Sequence, residues 1–264
     1  QRQMCIRDSL HGGHTKIRGN HEYGSRGDVW DYHKMSEDPN LEGQYPIGKS
    51  ALIFPKLLKG VGYSNGMVGK WGLGPPNSTS IPTEMGFDYF YGSVRHVDGH
   101  QHYPANFWEI GDNKSHQGKK EVWENNKEVS SGLDKCYTTD LWTAKAKQLI
   151  IDRTKNNPKT PFFMYLAYDT PHAALQLPTT PYPDGKGIKG GLEWLGATGK
   201  MINTAKGTID SYRDPIYTNK GLTEVAERFA TSITRIDHCV GDILPVSYTH
   251  LRAHETDSYR VCRL

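Results

Sequence analysis

The stretch Phe162–Tyr168 (Phe-Phe-Met-Tyr-Leu-Ala-Tyr) constrains this chain more than any other. A continuous apolar run with aromatics is the mark of a strand buried on both faces. The elements around it supply the covering layers. Ser50–Lys59 reads as a short helix with Pro55 in its first turn, stopped by Gly60 and Gly62. Ser64–Val68 reads as a short buried strand running into Gly69-Lys70-Trp71. Glu121–Glu124 and Lys127–Ser130 form a hairpin across Asn125-Asn126, because Asn tolerates the positive φ of such turns. Thr139 is placed to cap a helix from Asp140 to about Lys155, ended by Asn156, Asn157 and Pro158. Leu222–Leu244 is the clearest helix, with Val225, Phe229, Ile233, Ile236, Val240 and Ile243 on one stripe expected to pack in the core. Pro245 is expected to end it. Residues 178–221, rich in Gly, Thr, Lys and Pro, read as a long surface excursion. Helix and strand alternate, which predicts an α/β fold: a mixed or parallel sheet covered by helices.

Composition narrows the function classes. The 264 residues carry 32 Lys+Arg against 29 Asp+Glu, so the concentrated basic face needed to bind a nucleic-acid backbone is not expected. The longest apolar run, Pro161–Tyr168, is far shorter than a bilayer span, and no basic-then-apolar leader opens the chain. Four cysteines, Cys5, Cys136, Cys239 and Cys262, lie too far apart for a disulfide framework and lack the spacing of a structural zinc site. Residues 1–9 and 245–264 show neither helical nor strand periodicity and resemble translated adaptor sequence, leaving 10–244 as the expected domain.

In open α/β sheets, ligands collect beyond the carboxyl ends of the strands. Two segments stand there. Gly69-Lys70-Trp71-Gly72-Leu73-Gly74 offers close backbone approach and, in Lys70, a point charge suited to an oxyanion; a glycine-rich turn with a solvated lysine reads equally from the spacing. Tyr168-Asp169-Thr170-Pro171-His172 sets a histidine behind a proline, as a general acid, an anion ligand or a turn residue. His96 and His100 would share a face if their segment were helical, but Gly99 and Pro104 argue for a loop and against zinc. His238 beside Cys239 reads as packing and surface, and Asp28, Asp31, Glu37 and Asp38 as solvated carboxylates.

With those segments in hand, residues 10–244 resemble the type I sulfatases of the alkaline phosphatase-like superfamily. Leu10–Asn20 looks like the stretch following the family's C-x-P-S-R signature. Lys56–Tyr63 with Gly69–Gly74 resembles L-L-K-x-x-G-Y…G-K-W-x-L-G, and Gly86–Gly92 matches G-F-D-x-F-x-G. Phe162–Tyr168 with Pro171-His172 looks like F-F-L-Y-L-A…P-H, and Ala230–Leu244 is similar to A-x-x-T-R-x-D-x-x-V-G-x-I-L. The resemblance implies a mainly parallel mixed sheet flanked by helices, here truncated at both ends. It also implies hydrolysis of an aryl or carbohydrate sulfate ester by a formylglycine nucleophile, with calcium or a similar divalent cation on the sulfate oxygens. By position, Lys70 would hold a sulfate oxygen and His172 would lie near the leaving oxygen. Many members carry histidine where Gly72 stands. A subgroup with G-K-W-G-L-G shows A-H-x-Y-Y-P downstream, which Gly99–Pro104 resembles, so His100 would enter the sulfate pocket in compensation. Such proteins are commonly periplasmic or secreted.

The sequence also departs from the family. Cys5-Ile6-Arg7-Asp8-Ser9 has neither the proline nor the spacing of the signature, and the family's metal-ligand segments are expected outside 10–244. No metal-ligating residue is therefore assigned. The competing readings are a phosphodiesterase or phosphonate hydrolase of the same superfamily, and a sulfated-glycan binding module that performs no chemistry. The 264-residue chain is expected to be inactive by itself, and measurable hydrolysis of an aryl sulfate by the purified polypeptide would contradict this.

Overall fold

The computed structural model describes residues 47–251 apart from 75, 77, 96, 105–119, 173–174 and 188–206. Leu10–Asn20, Cys5, His96 and the carboxylates at 28–38 lie outside the described residues. Within them, helix α1 (Phe54–Gly60) leads into strand β1 (Ser64–Lys70), and β2 (Tyr89–Ser93) follows a short 3-10 turn at Pro82–Met85. A hairpin, β3 (Trp123–Glu124) and β4 (Lys127–Glu128), precedes α2 (Thr138–Asn156) and β5 (Phe162–Ala167). The long helix α3 (Glu224–Leu251) closes the order.

The five strands form one sheet in the order β4-β3-β2-β1-β5. β1 runs parallel to both β2 and β5, whereas β3 is antiparallel to β2. This is the mixed, mainly parallel sheet with flanking helices that the alternation predicts. Asn125 turns the hairpin at φ 52°, as its tolerance of positive φ anticipates. Alternate side chains of the central strands serve opposite faces. Val68 and Tyr91 pack with Leu141, Trp142 and Leu149 of α2. Met67 and Phe90 pack on the other face with Ile53, Trp71, Met85 and Phe87.

Several expectations are corrected. Phe162–Ala167 is half-buried rather than sealed on both faces, since among the described residues β5 has one strand neighbour, β1. Thr139 does not cap α2: the helix begins at Thr138 after Tyr137, and the Thr139 hydroxyl instead meets the Thr170 hydroxyl at 2.5 Å. The excursion after Pro178 is pinned at points, with Tyr182 Oη donating to Asp242 Oδ2 of α3 at 2.6 Å.

The largest correction concerns α3. Its apolar stripe docks only at one end: Ile243 is buried against α2, whereas Val225 is 65% exposed and Phe229 48%. Charges add to that contact. Arg235 donates to both carboxylate oxygens of Asp140 at 2.8 and 2.6 Å, and the buried Lys147 ammonium donates to Asp242 at 2.9 Å. Pro245 does not end the helix either. Interior proline costs about 3 kcal/mol, but Val246, one residue beyond it, is fully buried in a cluster with Ala146, Ile150 and Ile151 of α2. That packing carries the helix past the break.

One glycine sets how closely the strand ends approach. Gly69 adopts φ 110°, and a Cβ built there would lie 2.0 Å from the Ala167 carbonyl oxygen. The glycine of the G-K-W segment thus admits a neighbouring strand rather than a ligand. Gly69→Ala is expected to cost about 3 kcal/mol or more through strain and backbone clash, read as a lowered urea midpoint.

Candidate functional site

The carboxyl ends of β1, β2 and β5 lie side by side, since Lys70 pairs with Ser93 and Gly69 with Ala167. Lys70 is the last residue of β1. The pairing continues past it, with the Trp71 amide donating to Ser93 O at 2.9 Å and the Gly72 amide to Val94 O at 3.0 Å. The Trp71 ring is fully buried, and its indole N–H donates to Ser80 O at 2.7 Å. One residue away on the alternating strand, the stem of Lys70 lies over Gly99: a Cβ on Gly99 would sit 2.3 Å from Lys70 Cδ. Gly99 therefore keeps clear the space that the lysine occupies.

Beyond β5 the chain turns through Asp169 and a cis Thr170–Pro171 bond into His172. The His172 amide donates to Asp169 O at 3.1 Å, and the Leu175 amide to His172 O at 2.8 Å. The imidazole of His172 stacks on that of His100, with centroids 4.2 Å apart and planes inclined by 9°. His100 closes the 3-10 turn Val97–His100 that follows β2. Lys70 thus ends one strand, and His100 and His172 follow its two neighbours, at one end of the sheet, with the two rings in contact and the lysine against Gly99. His102 is fully buried, with Nδ1 3.3 Å from the Thr170 hydroxyl.

Residues that flank the two histidines join a buried charged cluster that sequence reasoning missed. Lys120 and Asp169 are fully buried at their side chains and form a direct ion pair. Lys120 Nζ also donates to Gln101 O at 2.6 Å. Asp169 accepts from the Thr138 hydroxyl and from the Trp142 indole N–H at 3.2 Å each, both at the start of α2. Burial pushes the Asp169 carboxyl up, but the Lys120 ammonium and His102 outweigh it and hold the group below its ordinary 3.8. Asp169 sits inside a segment that the sequence singles out. Lys120 gives no such signal, because it follows Lys119 in a polar stretch that reads as solvated.

Neither described cysteine offers a nucleophile. Both are buried, and burial pushes the Cys136 thiol up to about 12 and Cys239 higher still. Among the described residues no group of three or more His, Cys, Asp or Glu side chains could hold a metal ion. The described donor set does not fit a hard cation, and no metal-dependent step is derived from it.

Lys70, His100 and His172 therefore stand beside glycine-rich turns at the carboxyl end of a mainly parallel sheet. The chain belongs to the sulfatase family, whose model matches residues 31–245. It is 32% identical over 141 residues to arylsulfatase J of Mus musculus, covering 53% of this chain and 22% of that protein. It is 33% identical over 120 residues to N-acetylglucosamine-6-O-sulfatase of Bacteroides thetaiotaomicron, covering 45% of this chain and 16% of that protein. The chain thus spans about a fifth of the length of these relatives. Its fold is similar to the crystal structure of Ps i-CgsB in complex with k-i-k-neocarrahexaose, at a TM-score of 0.54 and 20% identity, over 79% of this chain and 39% of that one.

The buried pair has a pH signature. Because Asp169 is held below 3.8 when folded, its stabilisation is complete above that value and drains away as pH falls below it. Asp169→Asn, which strands the Lys120 ammonium, is expected to cost about 3–5 kcal/mol at pH 7. The cost should shrink at pH 3, where the parent carboxyl loses part of its advantage; urea unfolding at the two pH values checks this.

Proposed function

We propose that the parent enzyme to which this chain belongs hydrolyses sulfate esters, aryl or carbohydrate, and that Lys70, His172 and His100 hold the sulfate group. The observation that carries this reading is the stacking of His100 on His172, with His100 directly following the glycine that the Lys70 stem overlies. Family membership supports the ester class.

A sulfate group presents a tetrahedral array of charged oxygens. Lys70 supplies a compact cation with rotatable donors, which suits such an anion better than a planar fork. His172 supplies a ring N–H for a second oxygen. As S–O cleavage builds charge on the leaving oxygen, the same imidazole can deliver a proton there. The stacked His100 restricts rotation of that ring and adds a further donor, so the groups are ordered before the ester arrives. The resemblance implies calcium or a similar divalent cation and a formylglycine nucleophile. The described residues supply neither, and the cation and nucleophile are assigned to none of them. A periplasmic or extracellular location fits the family, and no described helix is long and apolar enough to cross a membrane.

Titration of the purified chain with inorganic sulfate, followed through the imidazole ring protons, tests the reading. Saturable shifts at His100 and His172 are expected, with affinity reduced at least about tenfold by Lys70→Met, as befits a lost charge-assisted hydrogen bond. Gly99→Ala should also weaken binding, since a methyl there would displace the Lys70 side chain at Cγ, Cδ and Cε. Sulfate affinity unaltered in both variants would overturn the assignment, and phosphate-ester binding without sulfate binding would favour the phosphodiesterase reading.

A further inference from the structure

We infer that Lys120 and Asp169 form a positioning pair that keeps the His100 and His172 imidazoles stacked; what the stack serves rests on the function proposed above. The two rings belong to separate chain segments, one leaving β2 and the other leaving β5. Lys120 bridges the two segments at Gln101 and Asp169. Its ammonium donates to the carbonyl of Gln101, the residue after His100, and to the carboxylate of Asp169, whose own carbonyl accepts the His172 amide. One buried cation therefore ties the backbone of one imidazole to the turn that carries the other.

Asp169 is in turn fixed from behind. Thr138 and Trp142, in the first turns of α2, donate to it, and a carboxylate at that helix end also meets the positive pole of the backbone dipole. The position of His172 is thereby referred to a long helix rather than to the turn alone. Stability does not require this arrangement. A buried ion pair contributes little over apolar side chains of similar volume, whereas deleting one partner leaves an uncompensated charge. What the pair adds is direction: a carbonyl and a carboxylate must both point at the same ammonium. Sites that hold substrate depend on such support for their geometry.

The test separates support of the rings from support of the fold. In Lys120→Met/Asp169→Leu both charges go together, so cooperative urea unfolding is expected to be retained. The ring-to-ring nuclear Overhauser contacts expected of imidazoles 4.2 Å apart should be lost, and sulfate-induced shifts at His172 should disappear with them. Thr138→Val, which removes one Asp169 donor and touches neither ring, should keep the contacts. Should the double variant not unfold cooperatively, Lys120→Gln carries the test, because a shorter amide does not span both oxygens and the ring contacts should again be lost. Ring contacts unchanged in either folded variant would overturn the inference. A parent chain that shows the ring contacts yet binds no sulfate would sink the functional reading and leave the positioning role standing.

Discussion

The Asp169 carboxylate, sealed from water and ionised, is the interaction on which the site geometry depends. It gathers the Lys120 ammonium, the Thr138 hydroxyl and the Trp142 indole at the point where β5 ends and α2 begins. Charge of this kind is tolerated in an interior only when its partners are fixed in number and direction. The partners come from a loop and a helix and the carboxylate from a strand exit, so satisfying it fixes how those elements meet. The segments that carry the stacked histidines are tied to this junction through the carbonyls of Gln101 and Asp169.

Two kinds of contact share the work of holding the layers together. The sheet faces are apolar in the ordinary alternating way, with α2 on one side and Ile53, the Trp71 loop, Met85 and Phe87 on the other. The contact between α2 and α3 differs. It combines a small apolar cluster with two ion pairs, Arg235–Asp140 and Lys147–Asp242, the second of which is completely buried. These pairs fix the register of the two helices by direction rather than by area. They also allow Val225, Phe229, Ile233 and Val240 of the apolar stripe to stay exposed while Ile243 packs on α2.

Much of the architecture was legible because it depends on local pattern. The continuous apolar run of β5, the Asn125 turn and the glycine stops after α1 each express a backbone preference within a few residues. Lys70, His100 and His172 were legible as candidates because strand ends are where ligands collect and because the quoted motifs resemble a family. What sequence reasoning missed is long-range. The pairing of Lys120 with Asp169 spans distant parts of the chain, and an isolated lysine in a polar stretch carries no mark of burial. The orientation of α3 failed for a related reason. Periodicity identifies an apolar face but not the partner that covers it, and buried charges on another face outweighed it. Pro245 shows the same priority, since packing of Val246 carries the helix beyond a residue that locally opposes it.

The most direct test of the account is a crystal structure of the chain grown with inorganic sulfate. The account predicts an ordered anion with one oxygen within hydrogen-bonding distance of Lys70 Nζ and another within reach of the His172 ring. Lys70 and His172 facing separate cavities, or an anion bound with neither, would contradict it.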